Sequence, residues 1–389
     1  MTPRTRLAIL VVSTPLVVFA VVGGFMGKVV AREDVTYQHL RVFEDVVSLV
    51  VNNYVESVDV ERVMDGAMRG LAEGLDPDSA YVSPEQVAAL ERGETLPEGE
   101  TGLNLTRQYY LRVVAVRDGS PAARAGLRTG DYLRAVDGRP TRNLSVFDGA
   151  RLLRGPVGSK VALTVIRGSA AEPHEVELTR ERLPATAVHG RLVDPVTGYV
   201  RIAALGPGTS ERIRAEVDAL GRGGATRLVI DLRGTADGSV DAAVEAARLF
   251  VAKGTLTARE QRGGPGVPVT AGAGDGAIAQ PVVLLVTAGT AGPAEVFAAA
   301  LVGAGRAEAV GERTLGRAAE QKLVRLPDGS GLWMTFARHL APDGKPINGN
   351  GVAPSVAVDE PDVEFGAAPP ADDVILERAI ATLDAKKAA

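Results

Sequence analysis

From Leu7 to Gly27 the chain carries no charged residue, and beyond it the apolar positions fall into three successive patterns. The first is helical. Leu40, Phe43, Val46, Val47, Val50 and Val51 follow helical spacing and predict an amphipathic helix over His39 to Tyr54, with a second from Val60 to Glu73. Gly74 and the turn-rich Leu75-Asp76-Pro77-Asp78-Ser79 stop it, and the polar stretch Glu91 to Glu100, with its acids, Gly and Pro, reads as a linker. The second pattern, Gly102 to about Arg182, is one of short strands between glycine turns. Leu111 to Val116, Tyr132 to Val136, Val161 to Ile166 and Glu175 to Leu178 are the predicted strands, and Ser120-Pro121 caps a short helix through Arg124.

In the third pattern strands alternate with helices. The predicted strands are Gly198 to Ile202, Arg227 to Asp231 and Pro281 to Val286; the helices are Ser210 to Leu220, Val240 to Val251 and Ala294 to Val302. Such alternation predicts an α/β layer on a largely parallel sheet. Arg262 to Ala279, rich in Ala, Gly and Pro, reads as a flexible loop, and Asp372 to Lys387 as a terminal helix. No internal repeat is evident.

Charge and composition narrow the chemistry. At ~1.5 Å per residue the uncharged N-terminal run is long enough to cross a hydrocarbon core of about 30 Å. Its length favours an uncleaved anchor over a cleavable signal peptide, for which Val29-Val30-Ala31 supplies the small residues. The rest of the 389 residues are expected outside the cytoplasm. With no cysteine there is no disulfide framework, thiolate nucleophile or cysteine-based metal site. His39, His174, His189 and His339 show no metal-ligand spacing, so no metal and no cofactor is expected. A net charge of −5 without a basic block, and 4% aromatic residues, argue against nucleic acid as a partner.

Ser120-Pro-Ala-Ala-Arg-Ala-Gly-Leu-Arg-Thr-Gly-Asp131, followed by Tyr-Leu-Arg-Ala-Val-Asp-Gly138, resembles the signature of a PDZ domain. The resemblance puts Gly102, Leu103, Asn104 and Leu105 in the loop whose backbone N–H groups hold a peptide's terminal carboxylate while the peptide adds a strand to the sheet edge. Asn104 replaces the loop's usual second glycine.

From Phe43 to Asp359 the chain resembles, in order, the carboxyl-terminal processing or tail-specific proteases, serine peptidases with a Ser–Lys dyad. The matching stretches are Gly70-Leu-Ala-Glu-Gly-Leu-Asp-Pro-Asp-Ser79, Leu153-Arg-Gly-Pro-Val-Gly158, Gly198-Tyr-Val-Arg-Ile202, Ile230-Asp-Leu-Arg233, Gly311-Glu-Arg-Thr-Leu-Gly316 and Ala341 to Pro354. The resemblance implies an α/β protease core of the ClpP/crotonase-like kind, with an inserted β-rich PDZ domain and an N-terminal helical segment. It implies these parts: 1–31 anchor or signal segment, 32–98 helical region and linker, 99–184 PDZ domain, 185–362 protease-like core and 363–389 helical tail.

At the positions that carry the family's chemistry the chain departs from it. Gly289-Thr-Ala-Gly-Pro-Ala-Glu295 puts Gly292 where the nucleophilic serine belongs, and Thr314-Leu-Gly316 leads into Arg317 where the basic lysine belongs, at the family's spacing. Gln321 retains the glutamine that supports the lysine. A glycine cannot form an acyl-enzyme, and an arginine, always protonated, cannot act as the base. Of the oxyanion donors, one falls on Pro293, which has no N–H, and the other on Gly238, preceded by the carboxylate of Asp237.

The expectation from sequence is therefore a membrane-anchored pseudoprotease, a homologue with a degenerate dyad that binds protein C-termini, unstructured peptides or an active family member. The location implied is the bacterial inner membrane, single-pass, or the periplasm or exterior if the segment is cleaved. The alternative is a serine- or threonine-type endopeptidase with relocated residues, for which Thr287, Thr290 and Ser239 are the nearby hydroxyls and His189 and His339 the bases. Arg317 is expected to pair with Asp237 or Glu295.

Overall fold

The computed structural model describes residues 37–168, 172–184, 187–368 and 370–388. The N-terminal apolar run lies outside them, and among the described residues no helix is long and apolar enough to cross a membrane. The chain divides into two compact units, one ending at Met68 and the other running from Arg69 to the C-terminus. In the first, the amphipathic segment forms a helix over 37–53, with Leu40, Val46 and Leu49 exposed. The next helix, Val60–Glu73, begins in that unit.

Among the described residues the second unit contains three sheets. The largest core is built on the strand order Val356–Ala357, Ala307–Gly311, Val282–Val286, Arg227–Asp231, Thr197–Ala204 and Ala187–Asp194. All neighbours are parallel except the last pair. Its central strand Val282–Val286 is apolar at every position because both faces are covered. Leu228, Ile230 and Leu284 meet the helices Thr209–Arg222, Val240–Arg248 and Pro293–Gly303 on one face. Val229, Val283 and Leu285 meet Ile375, Ala379 and Leu383 of the C-terminal helix Val374–Ala388 on the other.

An antiparallel sheet joins Ala80–Val82, Gly331–Leu340, Thr255–Gln261 and Val267–Thr270, with Ala319–Arg325 also paired to Gly331–Leu340. This sheet corrects one sequence expectation. The supposed flexible loop from Arg262 to Ala279 carries the strand Val267–Thr270, paired with Thr255–Gln261. Outside this sheet, residues 92–98 form no helix or strand between the helix Pro84–Glu91 and Gly99, which exchanges 3.0 Å backbone bonds with Gly155.

The glycine-turn region folds into an antiparallel sheet in the order Leu103–Gln108, Tyr110–Val116, Tyr132–Val136, Lys160–Ile166 and His174–Thr179, around a core of Leu111, Leu133, Leu163 and Val165. Ser120 caps Pro121–Arg124 as its sequence predicts, accepting from Ala123 N–H at 3.2 Å. Leu103–Gln108 is the terminal strand, and the helix Val146–Leu153 lies against it. Gly149 lets the helix pack down on this sheet, since a Cβ there would fall 2.3 Å from Leu111 Cδ1 on the neighbouring strand and 3.3 Å from Leu105 Cδ1.

Candidate active site

The site begins at the turn between Val282–Val286 and Pro293–Gly303. Gly292 holds it with φ 57° and ψ −117°, a conformation in which an L side chain is strained. Pro293 starts the helix, where its fixed φ fits and its missing N–H breaks no intrahelical bond. Thr290 is fully buried and spent on structure: its hydroxyl donates to Leu232 C=O at 2.9 Å and accepts from Thr287 N–H at 3.1 Å. Ala291 N–H donates to Thr235 C=O at 2.9 Å, joining this elbow to the opposite turn.

Glu295, on the first turn of the helix, is fully buried. Its Oε2 accepts from Gly292 N–H at 2.9 Å and Arg317 N–H at 2.7 Å, and its Oε1 from Gly316 N–H and the Thr314 hydroxyl, both at 2.5 Å. One carboxylate thus fixes the backbone of both positions at which the family resemblance puts the dyad. Burial pushes its carboxyl above the usual range, outweighing the four donors that favour ionisation.

The Arg317 side chain does not pair with Asp237 or Glu295, contrary to expectation. It pairs with Asp78 in the turn after the N-terminal helices, Nε donating to Oδ2 at 2.9 Å and Nη2 lying 2.5 Å from Oδ1. Its Nη1 donates to Leu105 C=O at 2.7 Å. The guanidinium therefore ties two other segments to its own turn, a task its fork geometry suits. Gln321 lies on the adjoining strand and donates to the Thr335 hydroxyl at 3.3 Å.

In the turn after Arg227–Asp231, Gly238 has φ 133°, and a Cβ there would fall 2.1 Å from Leu205 C=O. Only glycine lets this turn run beside Leu205, whose N–H donates to Asp237 C=O and whose C=O accepts from Ser239 N–H, both at 2.9 Å. The Ser239 hydroxyl caps the helix Val240–Arg248, accepting from Ala242 N–H at 3.2 Å. Asp237 turns its carboxylate toward the β-domain: Oδ1 accepts from Asn104 Nδ2 at 2.8 Å and Oδ2 lies 3.4 Å from Arg117 Nη1.

The loop expected to hold carboxylates thus faces the core. Gly102 has φ 82° and packs so closely that a Cβ would fall 2.2 Å from Ser120 Cβ; Leu103, Asn104 and Leu105 begin the edge strand. Of the histidines with candidate roles, His189 is exposed and His339 is buried, with Nε2 3.1 Å from Glu320 Oε1. Among the described residues no cluster of His, Asp or Glu could hold a metal ion. Sequence reading gave no role to Asp78 or Arg117. An arginine in place of a lysine asks for a carboxylate, but nothing local singles out Asp78 from so distant a segment.

Residues 196–358 match the profile of peptidase family S41, and 112–167 that of the PDZ domain. A carboxyl-terminal-processing protease of Synechocystis is 31% identical over 312 residues, which span 78% of this chain and 73% of that protein. The chain belongs to the carboxyl-terminal processing proteases. A similar relative is the carboxy-terminal processing protease CtpA of Bacillus subtilis, 28% identical over 80% of this chain and 67% of its own length. The solved photosystem II D1 C-terminal processing protease covers 82% of this chain and 92% of its own, with a TM-score of 0.67 and 28% identity. The fold is accordingly the S41 α/β protease core with an inserted PDZ domain and N-terminal helices.

Proposed function

We propose that this chain is a member of the processing-protease family that binds peptide ends without hydrolysing them. The observation that carries this reading is the elbow itself: its backbone is held by Glu295, yet residue 292 offers no nucleophile. Arg317 supplies no base, being permanently protonated and engaged with Asp78 and Leu105. The neighbouring hydroxyls of Thr290 and Ser239 serve a buried loop and a helix cap. The PDZ domain, with Gly102 to Leu105 at its edge strand, supports peptide C-termini as ligands. An active family member is a second class of partner consistent with this role. The uncharged N-terminal run supports a single-pass anchor in the bacterial inner membrane with the folded part outside the cytoplasm, or a periplasmic or secreted protein if it is cleaved.

A second reading is an active serine- or threonine-type endopeptidase acting on C-terminal regions with relocated residues. The relatives support it better than they support the first, since they are named as proteases. One experiment separates the two. Full-length protein in detergent is incubated with unstructured peptides, beside the variant carrying Gly292→Ser, Pro293→Ala and Arg317→Lys. The binding reading expects turnover only from the variant; turnover by the unmodified chain would overturn it in favour of the second.

A further inference from the structure

We propose that the carboxylate site of the PDZ domain consists of Asn104 and Arg117, and that the core fills it internally with Asp237 while Arg317 occupies the adjoining strand edge. This rests on the reading that the chain binds peptide ends, and adds what such a peptide must displace.

Leu103–Gln108 is paired on one side with Tyr110–Val116 and is the last strand of its sheet, so its other edge is where a peptide strand would add. An added strand brings N–H donors to that edge and, at its end, a carboxylate. The core presents imitations of both. Arg317 Nη1 donates to Leu105 C=O at 2.7 Å, as a peptide N–H would. Asp237 Oδ1 accepts from Asn104 Nδ2 at 2.8 Å, as a terminal carboxylate would. The two side chains come from the turns around residues 237 and 317, the same turns in which the chain departs from its family's pattern.

Arg117 identifies the site as one for an anion. Its side chain is 7% exposed, it is anchored by its N–H on Gly102 C=O at 2.8 Å, and its Nη2 is buried without a hydrogen-bond partner. Its contact with Asp237 is long, at 3.4 Å. A charge-assisted bond is normally ~2.7–2.9 Å, so Asp237 fills the site incompletely. The backbone explains the misfit: Asp237 is fixed by the Leu205 bond and reaches the guanidinium only from the core side. Glu100, the other nearby carboxylate, is engaged by Arg154 at 3.0 Å. A peptide's α-carboxylate, free of such a tether, can take both Asn104 and the unspent Nη2. A peptide amide lacks the charge.

The test uses full-length protein and a fluorescein-labelled, unstructured decapeptide with an apolar last residue, as free acid and as C-terminal amide, followed by anisotropy. If the closed contact holds most of the molecules, removing it raises apparent affinity by the reciprocal of the open fraction, so Asp237→Asn should bind the acid peptide about tenfold more tightly than the unmodified chain. Arg317→Gln should give a smaller gain, Arg117→Gln a loss, and the amide should be indifferent to Asp237→Asn. Equal affinity of wild type and Asp237→Asn for an acid peptide that both prefer to the amide would overturn the internal occupant and leave peptide-end binding standing. Binding of neither peptide, or of both equally, would instead remove the peptide-end reading and the inference with it. Should Asp237→Asn fold poorly, hydrogen exchange of the wild type decides. Saturating acid peptide should protect 103–108 and expose 234–239, whereas protection of both segments would overturn the displacement.

Discussion

Arg317 and Asp78 form an ion pair between distant segments, Nη2 to Oδ1 at 2.5 Å, with side chains 26% and 12% exposed. Lysine at 317 would keep a charge but not the fork, and would leave Leu105 C=O without its donor. Arg317→Lys is expected to lower stability by about 1–2 kcal/mol, the range of a partly exposed pair plus one hydrogen bond. The urea midpoint should fall at unchanged slope, the product of the two giving that loss, and by less at high salt. A salt-independent loss would mean the contribution is packing rather than charge.

Glu295→Gln tests the carboxylate that joins the elbow to the Arg317 turn. Glutamine retains one acceptor oxygen and turns an NH₂ toward the other pair of groups, stranding either Gly292 and Arg317 N–H or Gly316 N–H, since the Thr314 hydroxyl can turn to accept from it. One or two buried N–H groups left unpaired cost about 1–6 kcal/mol in total. Chemical denaturation should show the loss at unchanged slope. A variant as stable as the wild type would show that the turn has another arrangement available.

Burial holds the His339 imidazole below its ordinary pKa, with Arg259 acting the same way and Glu320 and Asp241 opposing. Its Nδ1 is buried with no partner, so a second proton there would have no acceptor. Because the unfolded chain takes up this proton first, stability should fall as pH drops below about 6.5 toward the lowered folded value, and be regained above it. Glu320, whose carboxyl Arg259 holds below the usual range, adds its own loss only at more acidic pH. Melting temperatures of wild type and His339→Gln from pH 8 to 5 check this, since Glu295 and the other carboxyls are common to both. The wild type should fall more steeply below pH 6.5; parallel curves would exclude His339.

The fold was legible where periodicity and punctuation agreed. Tyr132–Val136 and Arg227–Asp231 stand where the sequence put them, because each buries its apolar positions, Leu133 and Val136 in the first and Leu228, Val229 and Ile230 in the second. The antiparallel sheet around Gly331–Leu340 was not read. Its strand Ala319–Arg325 is only partly buried and carries charges, and its pairing with a strand beyond the next turn leaves little apolar alternation. The same limit applies to the site. Gly292, Pro293 and Arg317 follow from local motif, but Asp78, Asn104 and Arg117 acquire partners only when the chain brings segments more than a hundred residues apart together. Charge pairing across such distances leaves no spacing to count.

Gly292→Ser separates the shape of the elbow from its chemistry. A Cβ at 292 would have Arg317 C=O at 3.8 Å and Ala236 C=O at 3.9 Å as its nearest neighbours, so there is room for a side chain. The cost lies in the backbone, since φ 57° with ψ −117° strains any residue with a Cβ, by about 1–3 kcal/mol. The single variant should therefore fold, melt at a lower temperature, and place its hydroxyl between two carbonyl acceptors with no base at hand. It is expected to react with a fluorophosphonate no faster than wild type, because Arg317 cannot take the proton and Pro293 has no N–H to offer the developing oxyanion. Adding Pro293→Ala and Arg317→Lys restores a donor and a titratable amine, and mass spectrometry should then place the label on the introduced hydroxyl at position 292 alone. Rapid labelling of the single variant would mean that the elbow activates a hydroxyl unaided, and that the residues at 293 and 317 are not what keeps this site from reacting.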